Sequence, residues 1–195
     1  MSNLGSIKRA IEECSAAVVI SDDPKKIKSS NRIILPGVGA FADGIKNLKN
    51  LGFVSAIKEI ICDHNIPFLG ICLGMQLMAN KGYEGGEEEG LCLIPGAVKR
   101  LESSDPSTRI PHIGWNEVYK TRDNPLFADI PDGTDFYFVH SYHFIAENAE
   151  NIIATTPYCG GFISAVTLGN IFGVQFHPEK SGRMGFQVLK NFLNL

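Results

Sequence analysis

The stretch PFLGICLGMQLMAN, residues 67–80, constrains the fold more than any other part of the chain. Its first half is a short apolar run that reads as a strand, and its second half has helix-forming composition. Strand therefore passes to helix across one tight turn at Cys72, with a glycine two residues to either side. Such a junction favours an α/β sheet whose strands feed directly into covering helices.

The neighbouring segments agree. SIKRAIEEC (6–14) spaces Ile7, Ala10 and Ile11 as an amphipathic helix does, and AAVVI (16–20) reads as a buried strand. Turn chemistry at Asp22, Asp23 and Pro24 precedes a second strand, NRIILPG (31–37), and a helical stretch from 41 to 62 is interrupted near Gly52. From about 83 the texture changes. YEGGEEEG is an acidic, glycine-rich loop, and FYFVHSYHF, NIIATT and FISAVTLGNIFGVQF alternate like strands, the last with Gly169 and Asn170 as a hairpin turn. Residues 182–195 close the chain as an amphipathic helix with Phe186, Leu189, Phe192 and Leu193 on one face. The expected fold is a single α/β domain over 1–195. Its open mixed sheet is mostly parallel and flanked by helices, with additional antiparallel strands in the C-terminal half.

Composition narrows the function classes. With 44% hydrophobic and 20% charged residues the chain is too apolar for disorder, and a net charge of -3 with scattered Lys and Arg gives no electrostatic case for nucleic acid. No apolar segment approaches the roughly 20 residues that cross a bilayer, and MSNLGSIKR lacks a signal-peptide apolar stretch, so a cytoplasmic location is expected. The five cysteines, Cys14, Cys62, Cys72, Cys92 and Cys159, form no CxxC pair. That argues against a disulfide framework and against a cysteine zinc site.

For Cys72 two readings remain, a small buried hydrophobe or a nucleophile. Gly70-Ile71-Cys72-Leu73-Gly74 has the form of a nucleophile elbow with cysteine in the place of serine. The electropositive start of the following helix suits a thiolate there. A cysteine nucleophile needs a base, and the base needs an orienting group. GVQFHPEKS (173–181) supplies both, His177 at the end of an apolar strand and Glu179 two residues on. Leu35-Pro36-Gly37-Val38-Gly39 ends another early strand, so the N–H groups of Val38 and Gly39, with that of Leu73, are candidates for an oxyanion hole. Open α/β sheets bind ligands at the carboxyl ends of their strands, where all three motifs can converge.

LPGVGAF, GICLGMQL and GVQFHPEKS together resemble the class I, or triad, glutamine amidotransferases. RIPHIGWNEV (109–118) and FYFVHSYHF (136–144) narrow the resemblance to the glutaminase subunits of imidazole glycerol phosphate synthases. The resemblance implies that Cys72 attacks the side-chain amide of glutamine, that His177 protonates the departing ammonia, and that Glu179 orients His177. It implies Gln76, Glu84, Ser141 and Tyr142 as residues holding the glutamine α-amino and carboxylate groups, and no metal or cofactor. It places Trp115 and Asn116 against a (β/α)-barrel cyclase subunit that receives the ammonia in a heterodimer. It also suggests a PGVG loop that flips when the partner binds its nucleotide. Two other destinations stay open: a paralogue supplying ammonia to a sugar-modifying amidotransferase in surface-polysaccharide synthesis, and a noncatalytic partner-binding subunit.

One departure is visible. Such chains begin with a short apolar strand and a D-Y-G-x-G-N-type turn, whereas Met1-Ser2-Asn3-Leu4-Gly5 starts inside that turn. The expectation is a sheet in which a neighbour of the missing strand has unpaired backbone groups.

Overall fold

The computed structural model describes residues 4–195, except for the side chains at 62–64. Met1, Ser2 and Asn3, where the sequence places an opening turn, lie outside the described residues, as does the side chain of Cys62.

Apolar spacing sets the helices. Helix α1 (Leu4–Glu13) buries Ile7, Ala10 and Ile11, the three residues its periodicity selects. A short α2 (Pro24–Ile27) starts at Asp23, whose side chain accepts the N–H of Lys25. Strand β1 (Ile33–Gly37) leads to α3 (Phe41–Asn50) and α4 (Phe53–His64), separated at Gly52 by a φ of +75° that ends one helix and starts the next. Then come β2 (Phe68–Cys72) and α5 (Leu73–Leu77), the predicted strand-to-helix junction. The acidic loop lies between two-residue strands β3 (Lys81–Gly82) and β4 (Glu88–Glu89).

The remaining chain is mostly strand: β5 (Gly96–Arg100), β6 (His112–Lys120), β7 (Thr134–His140), β8 (Tyr142–Ala146), β9 (Ile152–Thr156), β10 (Phe162–Leu168) and β11 (Ile171–Val174). The β10–β11 hairpin turns at Gly169, with φ +57°, as expected. Helix α6 (Gly182–Leu193) closes the chain, burying Val188, Leu189 and Phe192 and half-burying Phe186 and Leu193.

A seven-stranded sheet has the order β1-β2-β11-β10-β9-β6-β7, and a four-stranded one the order β4-β3-β5-β8. The class is the expected mixed α/β sheet, but the large sheet is not mostly parallel: only β1–β2 and β2–β11 pair parallel, because the C-terminal strands β11, β10, β9, β6 and β7 extend the same sheet antiparallel. FYFVHSYHF divides at Ser141, β7 joining the large sheet and β8 the small one. Two apolar clusters flank the large sheet. One packs Leu69, Ile71, Phe136, Phe138 and Phe176 with α1 and α6, and the other packs Phe68, Met75, Met78 and Phe144 with α3, α4 and α5. Leu69 and Ile71 point one way from β2 and Phe68 the other, which is the period of two that a strand imposes. No helix of the described residues is long and apolar enough to cross a membrane.

The expected strand at 16–20 does not form. Ala16 and Val18 pack against the core while Val19 is 78% and Ile20 50% exposed, so the alternation of a strand persists without a ladder. Apolar alternation specifies which side chains point inward, but a strand also needs a neighbour to bond, and residues 16–20 pair with no strand of either sheet.

Candidate active site

Backbone strain marks the candidate nucleophile position. Cys72 has φ 54° and ψ -110°, a conformation that costs a non-glycine residue about 1–3 kcal/mol and persists only where the surroundings impose it. The flanking glycines are what impose it. A Cβ on Gly70 would stand 2.6 Å from the carbonyl carbon of Gly74, and one on Gly74 would overlap the carbonyl oxygen of Leu35 in β1. β1, β2 and α5 thus meet backbone to backbone at the elbow, and Cys72 sits on the tight strand-to-helix turn.

The β1–β2 register pairs Gly37 with Cys72, which brings the PGVG segment level with the sulfur. Gly39 adopts φ +114°, Val38 is 39% exposed, and Leu73 is buried beside Gly37. The three expected oxyanion positions therefore surround one strand end.

His177 follows β11 and is fixed by β7. Its N–H donates to the carbonyl of Tyr137 at 2.9 Å, while the hydroxyl of Ser181 donates to the His177 carbonyl at 2.7 Å and accepts the N–H of Tyr137 at 3.0 Å. Nδ1 of His177 lies 2.9 Å from Oε1 of Glu179, and both side chains are almost wholly buried. Burial is the largest influence on this imidazole and disfavours its cation, but Cys72 and Glu179 more than offset it, and the pKa is raised to about 9. Nε2 is buried with no hydrogen bond of standard geometry formed, and the Cys72 sulfur near it favours the cation first as a hydrogen-bond acceptor and then electrostatically. An imidazolium oriented at Nδ1 with Nε2 unengaged can deliver a proton to a leaving group and then act as a base toward water.

The expected glutamine-holding residues are placed unequally. Gln76 is 4% exposed, and its Nε2 donates to the Tyr142 carbonyl at 2.8 Å and to Oε1 of Gln175 at 3.0 Å. Since a backbone carbonyl only accepts, both amides are locked in orientation, and Gln175 must present Nε2 to the Cys72 sulfur, at 3.6 Å. Ser141 and Tyr142 form the corner between β7 and β8, both half-buried, with the Ser141 carbonyl accepting the N–H of Leu101 at 2.8 Å. Glu84 stands apart from this group. Its Oε2 accepts the N–H of Phe41 at 2.7 Å and caps α3, whose own N-cap residue, Ala40, has no side chain able to do so.

The partner-facing expectation falls on β6. Trp115 is 56% exposed, in company with Ile113 and Tyr119, and stands edge-on to Tyr137, its register partner, with ring centroids 6.2 Å apart. Asn116 points the other way, toward His112. The sequence reading passed over Gln175, His112 and His140. For Gln175 a signal existed in its place two residues before His177, but the contact it makes is with a residue 103 positions away.

Comparison with known proteins places the geometry in a lineage. The sequence matches the family described as Glutamine amidotransferase class-I across residues 1–195. It is 48% identical to the imidazole glycerol phosphate synthase subunit HisH of Moorella thermoacetica, over 98% of this chain and 90% of that one, and 43% identical to subunit HisH 1 of Campylobacter jejuni, over 99% and 95%. Among solved structures, one described as a glutamine amidotransferase superposes with a TM-score of 0.76 at 14% identity, covering 98% of this chain and 93% of that one. A putative GMP synthase subunit of Thermoplasma acidophilum gives 0.70 at 20%, covering 100% and 88%. The strained cysteine and the histidine held over it by a buried glutamate are thus found in a chain that belongs to the class I glutamine amidotransferase family.

Proposed function

We propose that this chain is the glutaminase subunit of an imidazole glycerol phosphate synthase, and that Cys72, His177 and Glu179 carry its chemistry. The observation that carries the reading is the buried His177–Glu179 pair beside a strained Cys72, in a chain 48% identical along nearly its whole length to a HisH subunit.

The geometry gives each group a step. The Cys72 thiolate attacks the side-chain amide carbon of glutamine, and the negative oxygen of the tetrahedral intermediate is held by the N–H groups of Val38 or Gly39 and of Leu73. As the C–N bond breaks, the His177 imidazolium gives its Nε2 proton to the departing nitrogen, which leaves as ammonia. Water then attacks the glutamyl thioester and yields its proton to His177, and the C–S bond breaks to release glutamate and regenerate the ion pair. Gln76 and the Ser141–Tyr142 corner hold the α-amino and carboxylate end, with Glu84 bracing the helix that follows the PGVG loop.

Ammonia passes to a (β/α)-barrel cyclase docked on Trp115, where it reacts with a phosphoribulosyl nucleotide to give imidazole glycerol phosphate and an aminoimidazole carboxamide ribotide, a step of histidine biosynthesis. What supports the docking face is its connection to the site: the exposed Trp115 pairs with Tyr137, and the Tyr137 carbonyl holds the backbone of His177.

The test is glutamate formation from glutamine by the purified chain, alone and with the cyclase and its nucleotide, against Cys72→Ala. Strong stimulation that the substitution abolishes is expected. Glutamate formation that the cyclase leaves unchanged would redirect the ammonia to another acceptor.

A further inference from the structure

Between the exposed strand β6 and the glutamine pocket lies a set of polar contacts that the reaction itself does not use. Asn116 is half-buried on the inward face of β6, and its Oδ1 accepts the N–H of Glu117 at 3.0 Å. Its Nδ2 therefore faces Nε2 of His112, 3.3 Å away. Nδ1 of His112 lies 3.2 Å from Nε2 of His140, and Nδ1 of His140 lies 2.8 Å from the Tyr142 carbonyl, the same oxygen that accepts from Gln76.

The protons in this series are determined from either end. An amide nitrogen only donates, so Nε2 of His112 accepts and its proton sits on Nδ1. That proton goes to Nε2 of His140, whose own proton must then be on Nδ1, directed at the carbonyl. Starting from the carbonyl, which only accepts, gives the same assignment. A second proton on either ring would set donor against donor, at Asn116 for His112 and at His112 for His140. Burial keeps both rings neutral, lowering His112 to about 4 and His140 to about 3, and the neighbouring His143 and His177 further disfavour a charge on His140. His112 is also held by rings, stacked on Tyr158 at 3.9 Å and Phe138 at 5.0 Å between centroids.

We infer that His112 and His140 are positioning residues that couple the docking face of β6 to glutamine binding, through one directed line of hydrogen bonds from Asn116 to the Tyr142 carbonyl and Gln76. The inference rests on the functional reading above and goes beyond it by naming how the two sites communicate. The line ends on the β7–β8 corner, where the chain leaves one sheet for the other, so the carbonyl is held by these two side-chain donors. From Gln76 it continues through Gln175 to the Cys72 sulfur. A shift of β6 on docking moves Asn116 and His112 together, because they are four residues apart on one strand face, and the shift is felt at Gln76.

Two measurements test this. Long-range proton–nitrogen NMR on the wild-type chain should find both rings neutral and protonated at Nδ1 throughout pH 5.5–8. An Nε2–H tautomer or a titration in that range, for either ring, would overturn the line as drawn. His112→Phe keeps the aromatic stack and deletes both nitrogens. It should raise the KM for glutamine roughly tenfold, the scale of one buried hydrogen bond lost, and reduce stimulation by the cyclase, with kcat at saturating glutamine changed less. A His112→Phe protein that melts lower but keeps the wild-type KM and stimulation would reduce His112 to a structural role. Wild-type chain that makes no glutamate with or without the cyclase would defeat the functional reading and the coupling together, whereas an active wild type with an unaltered His112→Phe variant would defeat the coupling alone.

Discussion

Apolar side chains are exposed in two regions of the molecule, and the two differ in the backbone that carries them. Between α1 and α2, Val19 and Ile20 face solvent from a segment that joins no ladder. Near one end of the large sheet, Ile113 and Trp115 face solvent from β6, which is paired along seven residues with β7 and at its far end with β9. Exposed apolar area on satisfied, rigid backbone loses little order on docking and suits a partner surface, whereas the same area on unpaired backbone would have to be ordered first. The β6–β7 end is also joined to the chemistry. The Tyr137 carbonyl holds the His177 backbone, and the Val139 carbonyl lies 3.9 Å from the Cys72 sulfur.

The largest expected effect probes that junction. Glu179→Gln leaves a neutral amide against Nδ1 of His177, free to turn either its oxygen or its nitrogen toward the ring. It should lower stimulated kcat by about 10²–10⁴-fold, the range for a lost acid–base function. The pH profile gives the sign. With the folded pKa raised to about 9, wild-type activity that depends on the imidazolium holds through neutrality and falls as pH rises past that value. Glu179→Gln removes one of the supports of the cation, so the alkaline limb should move down toward the ordinary histidine value. Stability follows the same linkage, the contribution of His177 being complete below about 6.5 and lost as pH rises through about 9. An alkaline limb that stays in place would assign it to another group.

A second, smaller effect separates the two regions directly. Trp115→Ala should weaken binding of the cyclase by about 30-fold or more in calorimetry, the loss expected of a central aromatic anchor, while glutamate formation by the isolated chain stays as it was. Unchanged affinity would move the docking face elsewhere and remove the contrast between the two regions.

What could be read in advance follows the same division between local and long-range requirements. The elbow was legible because its demand is local: two glycines and a cysteine in five residues are what a strained strand-to-helix turn needs, and the clashes at Gly70 and Gly74 show why. The contact between His177 and Glu179 was legible because the two residues are only two positions apart. Gln175, His112 and His140 were not, since each acquires its role from partners that only the folded sheet brings near, 28 residues away for the histidine pair and 99 for the two glutamines. Glu84 carries a long-range contact too. Its motif position suggests a substrate contact, and its side chain also reaches a helix that begins 43 residues earlier and caps it. At 16–20 the pattern of a strand was present without the neighbour that would complete it, and pattern alone does not create a ladder.

The smallest expected effect lies at that unpaired segment. Val19→Ser and Ile20→Ser remove apolar groups that are 78% and 50% exposed, so little burial is lost, and serine is no worse suited than a β-branched residue to extended backbone outside a sheet. Each should change the unfolding free energy by no more than about 0.5 kcal/mol, the ordinary range for surface sites, and leave cyclase affinity unaltered. The expectation depends on residues 16–20 being unpaired in solution. Should either substitution cost about 1 kcal/mol or more in denaturant melts, the segment must be covered in solution, and the contrast with β6 would be lost. Amide hydrogen exchange at 16–20 distinguishes these cases without mutation: exchange near the unprotected rate fits a segment outside any ladder, and protection comparable to that of β2 would show that the segment has a partner.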